Sequence, residues 1–315
     1  MRSRARALTL VAGFLVLGLA PVVAALMNQP FYLDLFRRIM IFAIAAVSLD
    51  LILGFGGMVS FGHAAYLGLG AYAVAIPAFY GIQSGLIQWT LALVLSGLVA
   101  LLIGAVSLRT SGVYFIMITL AFAQMLYYLG ISINAWGADD GMRLARRSQF
   151  GGVIDLANPY VFYYVVFGLL VALLWLGHRL IHARFGTVIR ATRSNEPRMR
   201  AIGFSTFRYK LAAFTIAGAV CGLAGALLTN QTEYLTPSYM HWTRSGDIMV
   251  MVILGGMGTL FGPVLGAVAF LLLEDILSAW TVHWQIVLGP LLVLVVLYAR
   301  RGLYGLLPGG ARHDG

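Results

Sequence analysis

The chain is short of charge. Of its 315 residues only 10% are Asp, Glu, Lys or Arg, against about 25% in ordinary soluble domains. It has a single lysine, Lys210, followed by Leu211. A Walker-type phosphate loop needs lysine followed by Ser or Thr, to reach the terminal phosphates and hold magnesium. The chain therefore binds no ATP in that manner. It has one cysteine, Cys221, so an internal disulfide is excluded, and the thiol reads as a small buried hydrophobe.

Motifs for other chemistry are equally thin. No G-x-S-x-G nucleophile turn occurs. Gly68-Leu69-Gly70-Ala71-Tyr72-Ala73 fits G-x-G-x-x-A, but no strand precedes it and no acid follows at the right distance, so it reads as a packing motif. Of six histidines only His178 and His182 share a helical face, and Arg179 and Arg184 flank them. That is the setting of an interface anchor, and no metal site is expected.

What is abundant is apolar surface. Hydrophobic residues make up 61% of the chain, and the mean hydropathy is +0.90. Uncharged runs long enough to cross a bilayer recur at Ala7–Met27, Ser84–Leu108, Thr110–Ala138, Leu156–Gly177, Leu211–Thr232 and Ile276–Ala299. They do not alternate apolar with polar residues as barrel strands do. The expected fold is all-α, a polytopic helical membrane protein.

Spans are expected near 7–27, 33–53, 60–80, 86–107, 112–131, 158–178, 210–229 and 284–299. Asp247–Gly258 covers only roughly 18 Å as a helix, so the 246–279 region should kink, or dip in and return. The expected total is eight to ten spans. The whole of 1–315 reads as one membrane domain. It comprises a first helix at 7–27, a first half at 30–131, an outer polar loop at 132–157, a second half at 158–300 and a tail at 301–315. The first helix resembles a signal peptide, but its cleavage signal is poor and its length suits a retained span.

The net charge of +10 does not indicate nucleic acid, because the cations sit in short loops as topology signals do. Arg2, Arg4 and Arg6 place the N-terminus in the cytoplasm. Eight of the 21 basic residues lie between Arg179 and Lys210, on the same side by the span count, and both termini are expected inside. Arg143, Arg146 and Arg147 oppose the rule, in a longer loop that also holds Asp139 and Asp140. At the outer end of the second span, Asp34, Arg37 and Arg38 are spaced so that the acid can pair with both arginines.

The stretch LILGFGGMVSFGHAAYLGLGAYA, Leu51–Ala73, holds six glycines and no charge. It has an echo. ILGFGGMVSFGHAAYLG at Ile52–Gly68 and ILGGMGTLFGPVLG at Ile253–Gly266 both read ILG, GGM, FG, LG. Paired glycine-rich interruptions point to a translocation pathway in transporters built from repeats. The competing reading is close packing of helices. The candidate break residues are Gly54, Gly56, Gly57, Ser60, Gly62 and His63 in the first copy, and Gly255, Gly256, Gly258 and Gly262 in the second. Whether the halves run parallel or inverted stays open.

Ser60 and His63 could suggest an intramembrane hydrolase, but no acid is placed to orient the histidine, which instead lines or caps the break. Asp50 lies near the inner end of its span, beside the break. It is a candidate for gating, with a satisfied structural acid as the alternative. The scarcity of mid-span ionisable groups counts against ion coupling.

In the basic loop 179–210 a short helix is expected around Glu196–Ile202. Asn195 suits the N-cap, Glu196 and Pro197 the first turn, and Gly203 the stop. It reads equally as a docking element or an ordinary basic loop.

Four pieces, in order, resemble the inner-membrane permease subunits of branched-chain amino-acid ABC importers. They are SLDLILGFGGMVSFGHAAYLGLGAYA, GVYFIMITLAFAQM, ATRSNEPRMRAIGFSTFRYKLAAFTIAGAVCGLAGALL and ILGGMGTLFGPVLGA. The chain looks most like the second of two paralogous permeases. The resemblance implies a heterodimer with the other permease in the bacterial inner membrane, two P-loop ATPase subunits and a periplasmic substrate-binding protein. ATP and magnesium would be bound by the ATPases, with no cofactor and no catalysis in this chain. Asn195, Glu196, Arg198, Ala201 and Gly203 would form the coupling helix, although Pro197 and Arg198 depart from the usual pattern. The cargo would be a branched-chain amino acid, urea, an amide or an aromatic compound. The alternative is a stand-alone channel or secondary transporter for a small neutral solute.

Overall fold

The computed structural model describes residues 30–281 except 153, with 13, 17–19, 21, 283, 286–290, 293 and 302–306. The expected spans at 7–27 and 284–299 and the tail at 301–315 lie largely outside the described residues.

Helix α1 (Pro30–Asp50) runs into a π-helical turn at Leu51–Phe55, and α2 (His63–Phe79) follows a seven-residue irregular stretch at 56–62. Then come α3 (Gly85–Ser107), α4 (Val113–Ser132), the two-residue strand β1 (Met142–Arg143) and α5 (Pro159–His182). An arm outside the long helices holds α6 (Arg184–Ser194) and α7 (Glu196–Ala201). The remainder is α8 (Thr206–Thr232), β2 (Tyr234–Leu235), α9 (Trp242–Gly255), α10 (Gly262–Trp280) and the short α11 (Gly302–Leu306).

Six segments among the described residues are long and apolar enough to cross a membrane: Phe31–Phe55, α3, α4, α5, α8 and α10. Helix α2 is apolar but shorter. The 246–279 region forms a helical hairpin. Helix α9 has 14 residues, about 21 Å of rise, and α10 returns alongside it. A side chain at Gly255 would overlap the Gly262 carbonyl, and one at Gly266 would overlap the Met251 carbonyl.

Helix α8 is the hub, packed on α1, α2 and α3. A methyl group at Gly70 of α2 would collide with the Gly222 carbonyl of α8. Glycine there lets two backbones touch, which suits helices that associate without a hydrophobic drive between them. The G-x-G-x-x-A fragment thus acts in packing. Cys221 is fully buried in the same seam, where its thiol lies 3.4 Å from the His63 carbonyl.

At the end away from α7, the polar 132–157 loop is folded down rather than loose. β1 pairs antiparallel with β2, Met142 opposite Leu235. Gly85 N–H donates to the Gln149 carbonyl at 2.7 Å, and Gln149 N–H to that of Gln83 at 2.7 Å.

Ion pairs gather at this end, and one, which ties α1 to α10, differs from the sequence expectation. Arg37 pairs with Asp34 and lies over the Phe162 ring at 4.7 Å. Arg38 pairs instead with Glu274 of α10 at 3.2 Å. Consecutive helical residues point about 100° apart, so Arg38 faces α10 while Arg37 faces α5. Arg244 and Asp247 pair at 3.3 Å, as their i, i+3 spacing suggests.

Candidate translocation and coupling site

The two glycine-rich segments lie far apart in sequence and meet in space. Asp50, 2% exposed, closes α1. Its Oδ1 accepts the Gly258 N–H at 2.8 Å, across 208 positions. Gly54 sits at the contact. A side chain there would overlap both the Asp50 carboxylate and the Gly258 amide. Asp50 Oδ2 is buried without a hydrogen-bond partner. The acid also borders an open-sided cavity of about 60 Å³ whose other walls are almost all aliphatic, among them Val47, Leu173, Ile216 and Leu260.

Each segment is a helix, a break and a helix. In the first, the π turn puts the Gly57 N–H on the Leu53 carbonyl at 3.1 Å and the Met58 N–H on that of Ile52 at 2.8 Å. Gly57 has φ +69°, a conformation L side chains rarely adopt. The chain then turns so that the first residues of α2 meet α1 and α9. His63 Nε2 and Ser48 Oγ are 2.8 Å apart, and the Ala64 N–H donates to Ser245 Oγ of α9 at 2.9 Å. Apart from the exposed Gly57, the loosened backbone is thereby enclosed by protein, which irregular structure inside a membrane requires. Gly62 abuts the Thr119 carbonyl of α4.

Ser60 Oγ accepts the Gly62 N–H at 3.2 Å, while the His63 ring bonds Ser48. The two side chains make no nucleophile–base pair. Gly56 packs on the Ile52 carbonyl. In the second segment Gly256 has φ +119° and Gly258 φ +73°. The Thr259 hydroxyl stitches the turn, donating to the Gly256 carbonyl at 2.7 Å and accepting the Gly262 N–H at 3.1 Å.

The arm carries the second set of candidates. Asn195 caps α7, its Oδ1 accepting the Arg198 N–H at 3.0 Å. Glu196 is the hub of a polar cluster. It takes hydrogen bonds from Arg200 at 2.7 Å, from the Thr206 hydroxyl at 3.0 Å, and from Lys210. Partial burial alone would push the Glu196 carboxyl up. Hydrogen bonds from Lys210 and Arg200 outweigh it and hold the group below its ordinary value. Ala201 ends the helix and Gly203 follows at φ +90°. Arg198, Ala201 and Gly203 are exposed, and Ile202, Phe204 and Phe207 add exposed apolar surface beside them.

The sequence did not single out Arg193. It stands in the last turn of α6, and its guanidinium donates to the Gly54 carbonyl in the first break. A Cβ at Gly57 would lie 2.9 Å from its Cγ, and one at Gly258 3.7 Å from its Nη1. Arg193 therefore bonds the first break and lies beside the second. In the sequence it is one of several loop arginines, and a backbone carbonyl as partner leaves no trace there.

Comparison with known proteins agrees with this architecture. Residues 31–296 match the family model described as branched-chain amino acid transport system / permease component. The chain is 30% identical to the high-affinity branched-chain amino acid transport system permease protein LivM of Salmonella typhimurium, over 86% of this chain and 69% of that one. It is 25% identical to the permease protein LivH of Escherichia coli, over 84% and 91%. It is 34% identical to the xylose transport system permease protein XylH of the same organism over a shorter stretch, 41% and 35%. No solved structure matches it. The chain belongs to the permease-component family of branched-chain amino acid transport systems.

Proposed function

We propose that this chain is one of two paralogous permeases in an ATP-driven importer of the bacterial inner membrane, with both termini in the cytoplasm. Two P-loop ATPases would supply the energy, and a periplasmic binding protein would deliver a branched-chain amino acid or a related small solute. The observation that carries this reading is α7. It is a capped helix with an exposed basic face and exposed apolar residues just beyond it, held outside the long helices yet joined through Arg193 of α6 to the glycine breaks. Such a helix suits docking in a partner's groove.

Nucleotide-driven closure of the ATPases would move α7 and bias the permease between inward- and outward-facing states. The glycine breaks supply the joints. Few charges line them, which suits cargo that must be released rather than held.

We place the paralogous permease against α4. Only 22% of its most apolar stretch is buried, against 78% for Phe31–Phe55. Its open face shows Tyr114, Met117, Met125 and Tyr128, whereas α3 turns Leu98, Leu102 and Val106 outward. Tyrosine and methionine are enriched in the cores of protein interfaces.

The test is affinity purification of the tagged chain from native membranes in mild detergent. Recovery of a second permease and two P-loop ATPases is expected. Recovery of the chain alone, with solute flux that needs no ATP, would instead establish an autonomous channel or transporter.

A further inference from the structure

We infer that Arg193 is a positioning residue that transmits the movement of α7 to both glycine breaks at once, by switching between the Gly54 carbonyl and the Asp50 carboxylate; this rests on the reading of α7 as the ATPase-docking helix.

The arm is built as a rigid elbow. Only Asn195 separates α6 from α7. Its N–H is bonded back to the Ala191 carbonyl at 3.0 Å, while its side chain caps α7. Rotation of α7 therefore turns the last turn of α6 with it. Arg193 is on that turn, and Arg190, one turn earlier, is not equivalent. Arg190 bonds the Ile181 and Gly186 carbonyls, both at 3.3 Å and both within the arm's own root.

The head of Arg193 lies where the two breaks touch. It donates to the Gly54 carbonyl, its stem lies against Gly57, and Gly258 is across from it. Asp50 binds the Gly258 amide with one oxygen and leaves the other, buried, without a partner. That free oxygen is a second acceptor beside the same contact, because Asp50 and the Gly258 amide both lie against Gly54, whose carbonyl Arg193 holds. The charged pair would be stronger than the bond to a neutral carbonyl. A small turn of the arm can carry the guanidinium from one to the other. Because Asp50 is already bonded to Gly258, pulling on Asp50 moves the second break with the first.

The test uses the complete assembly of both permeases, the ATPases and the binding protein, reconstituted in lipid. Hydrogen exchange is followed in the peptides covering 51–62 and 255–262, with and without a non-hydrolysable ATP analogue. In the unaltered protein the analogue should change exchange in both peptides. In Arg193→Ala that response should be lost, and solute uptake per ATP hydrolysed should fall about tenfold, with Arg193→Lys recovering part of each. Arg190→Ala should keep the response. A merely structural role would change the baseline exchange, not the nucleotide response. A response that survives in both breaks of Arg193→Ala overturns the inference. Should alanine prevent accumulation in the membrane, Arg193→Gln is read in the same way, since its shorter arm cannot reach both acceptors. If the ATPases are present and active but the breaks of the unaltered protein ignore nucleotide, the switch fails and the importer reading stands. If no ATPase accompanies the chain, that reading fails and the switch with it.

Discussion

Among single residues, the glycines divide by what surrounds them. Gly54 has the Asp50 carboxylate and the Gly258 amide against it. Gly54→Ala must therefore push the two breaks apart, at about 1–3 kcal/mol for overpacking. Transport should fall by an order of magnitude or more while the chain still inserts, as measured by uptake and by the thermal midpoint in detergent. Gly168 and Gly246, both helical, have open space around their Cα atoms. Alanine at either should be neutral or stabilise by about 0.4–1 kcal/mol, with uptake unchanged. If all three variants behaved alike, contact at the breaks would not be what selects glycine there. Ser60→Ala tests a different point. The Ser60 hydroxyl meets only the Gly62 amide among the described side-chain bonds, so uptake should survive its loss, whereas a hydrolase nucleophile could not be removed without abolishing activity.

At the level of elements, α7 is too short to be stable by itself, and its bonds to the start of α8 hold it. Glu196 receives Arg200, Thr206 and Lys210. Glu196→Ala should loosen α7, seen as faster hydrogen exchange across 195–203 and weaker ATPase retention. The same cluster sets a pH dependence. The Glu196 carboxyl lies below its ordinary value of 4.5, so its contribution is complete above that pH and is lost as pH falls through the lower, folded value. Exchange across 195–203 should therefore rise in that acid window, and Glu196→Gln should remove the dependence. Gly203 is different again. It has open space around it but φ +90°, so a valine there would strain the backbone rather than collide. Gly203→Val should redirect the chain after α7 and reduce uptake while leaving membrane insertion intact.

For the whole molecule, the heterodimer supplies the next prediction. Cys221 is fully buried, so a cysteine introduced at an exposed position is the accessible thiol. Met117→Cys or Met125→Cys on α4 should cross-link to cysteines on a paralogous permease in membranes. Leu98→Cys on α3 should not. Cross-linking from α3 but not α4 would move the interface to the other side of the bundle.

The solvent of the chain and most of its helices follow from the sequence. Long uncharged runs leave a chain no option in lipid but to satisfy its backbone internally as helix. The α7 cap was equally legible, because Asn195, Glu196, Pro197 and Gly203 act on their immediate neighbours. The glycine segments could be read as breaks, since too much glycine in an apolar run weakens the helix locally. Only the tertiary structure decided what these parts do to one another. It brought Gly258 to Asp50, Arg193 to Gly54, and Arg38 to Glu274 rather than Asp34. Local propensity is written in neighbouring side chains. A contact across the bundle, above all one made to a backbone amide or carbonyl that every residue carries, has no signature in the sequence and exists only once the helices have packed.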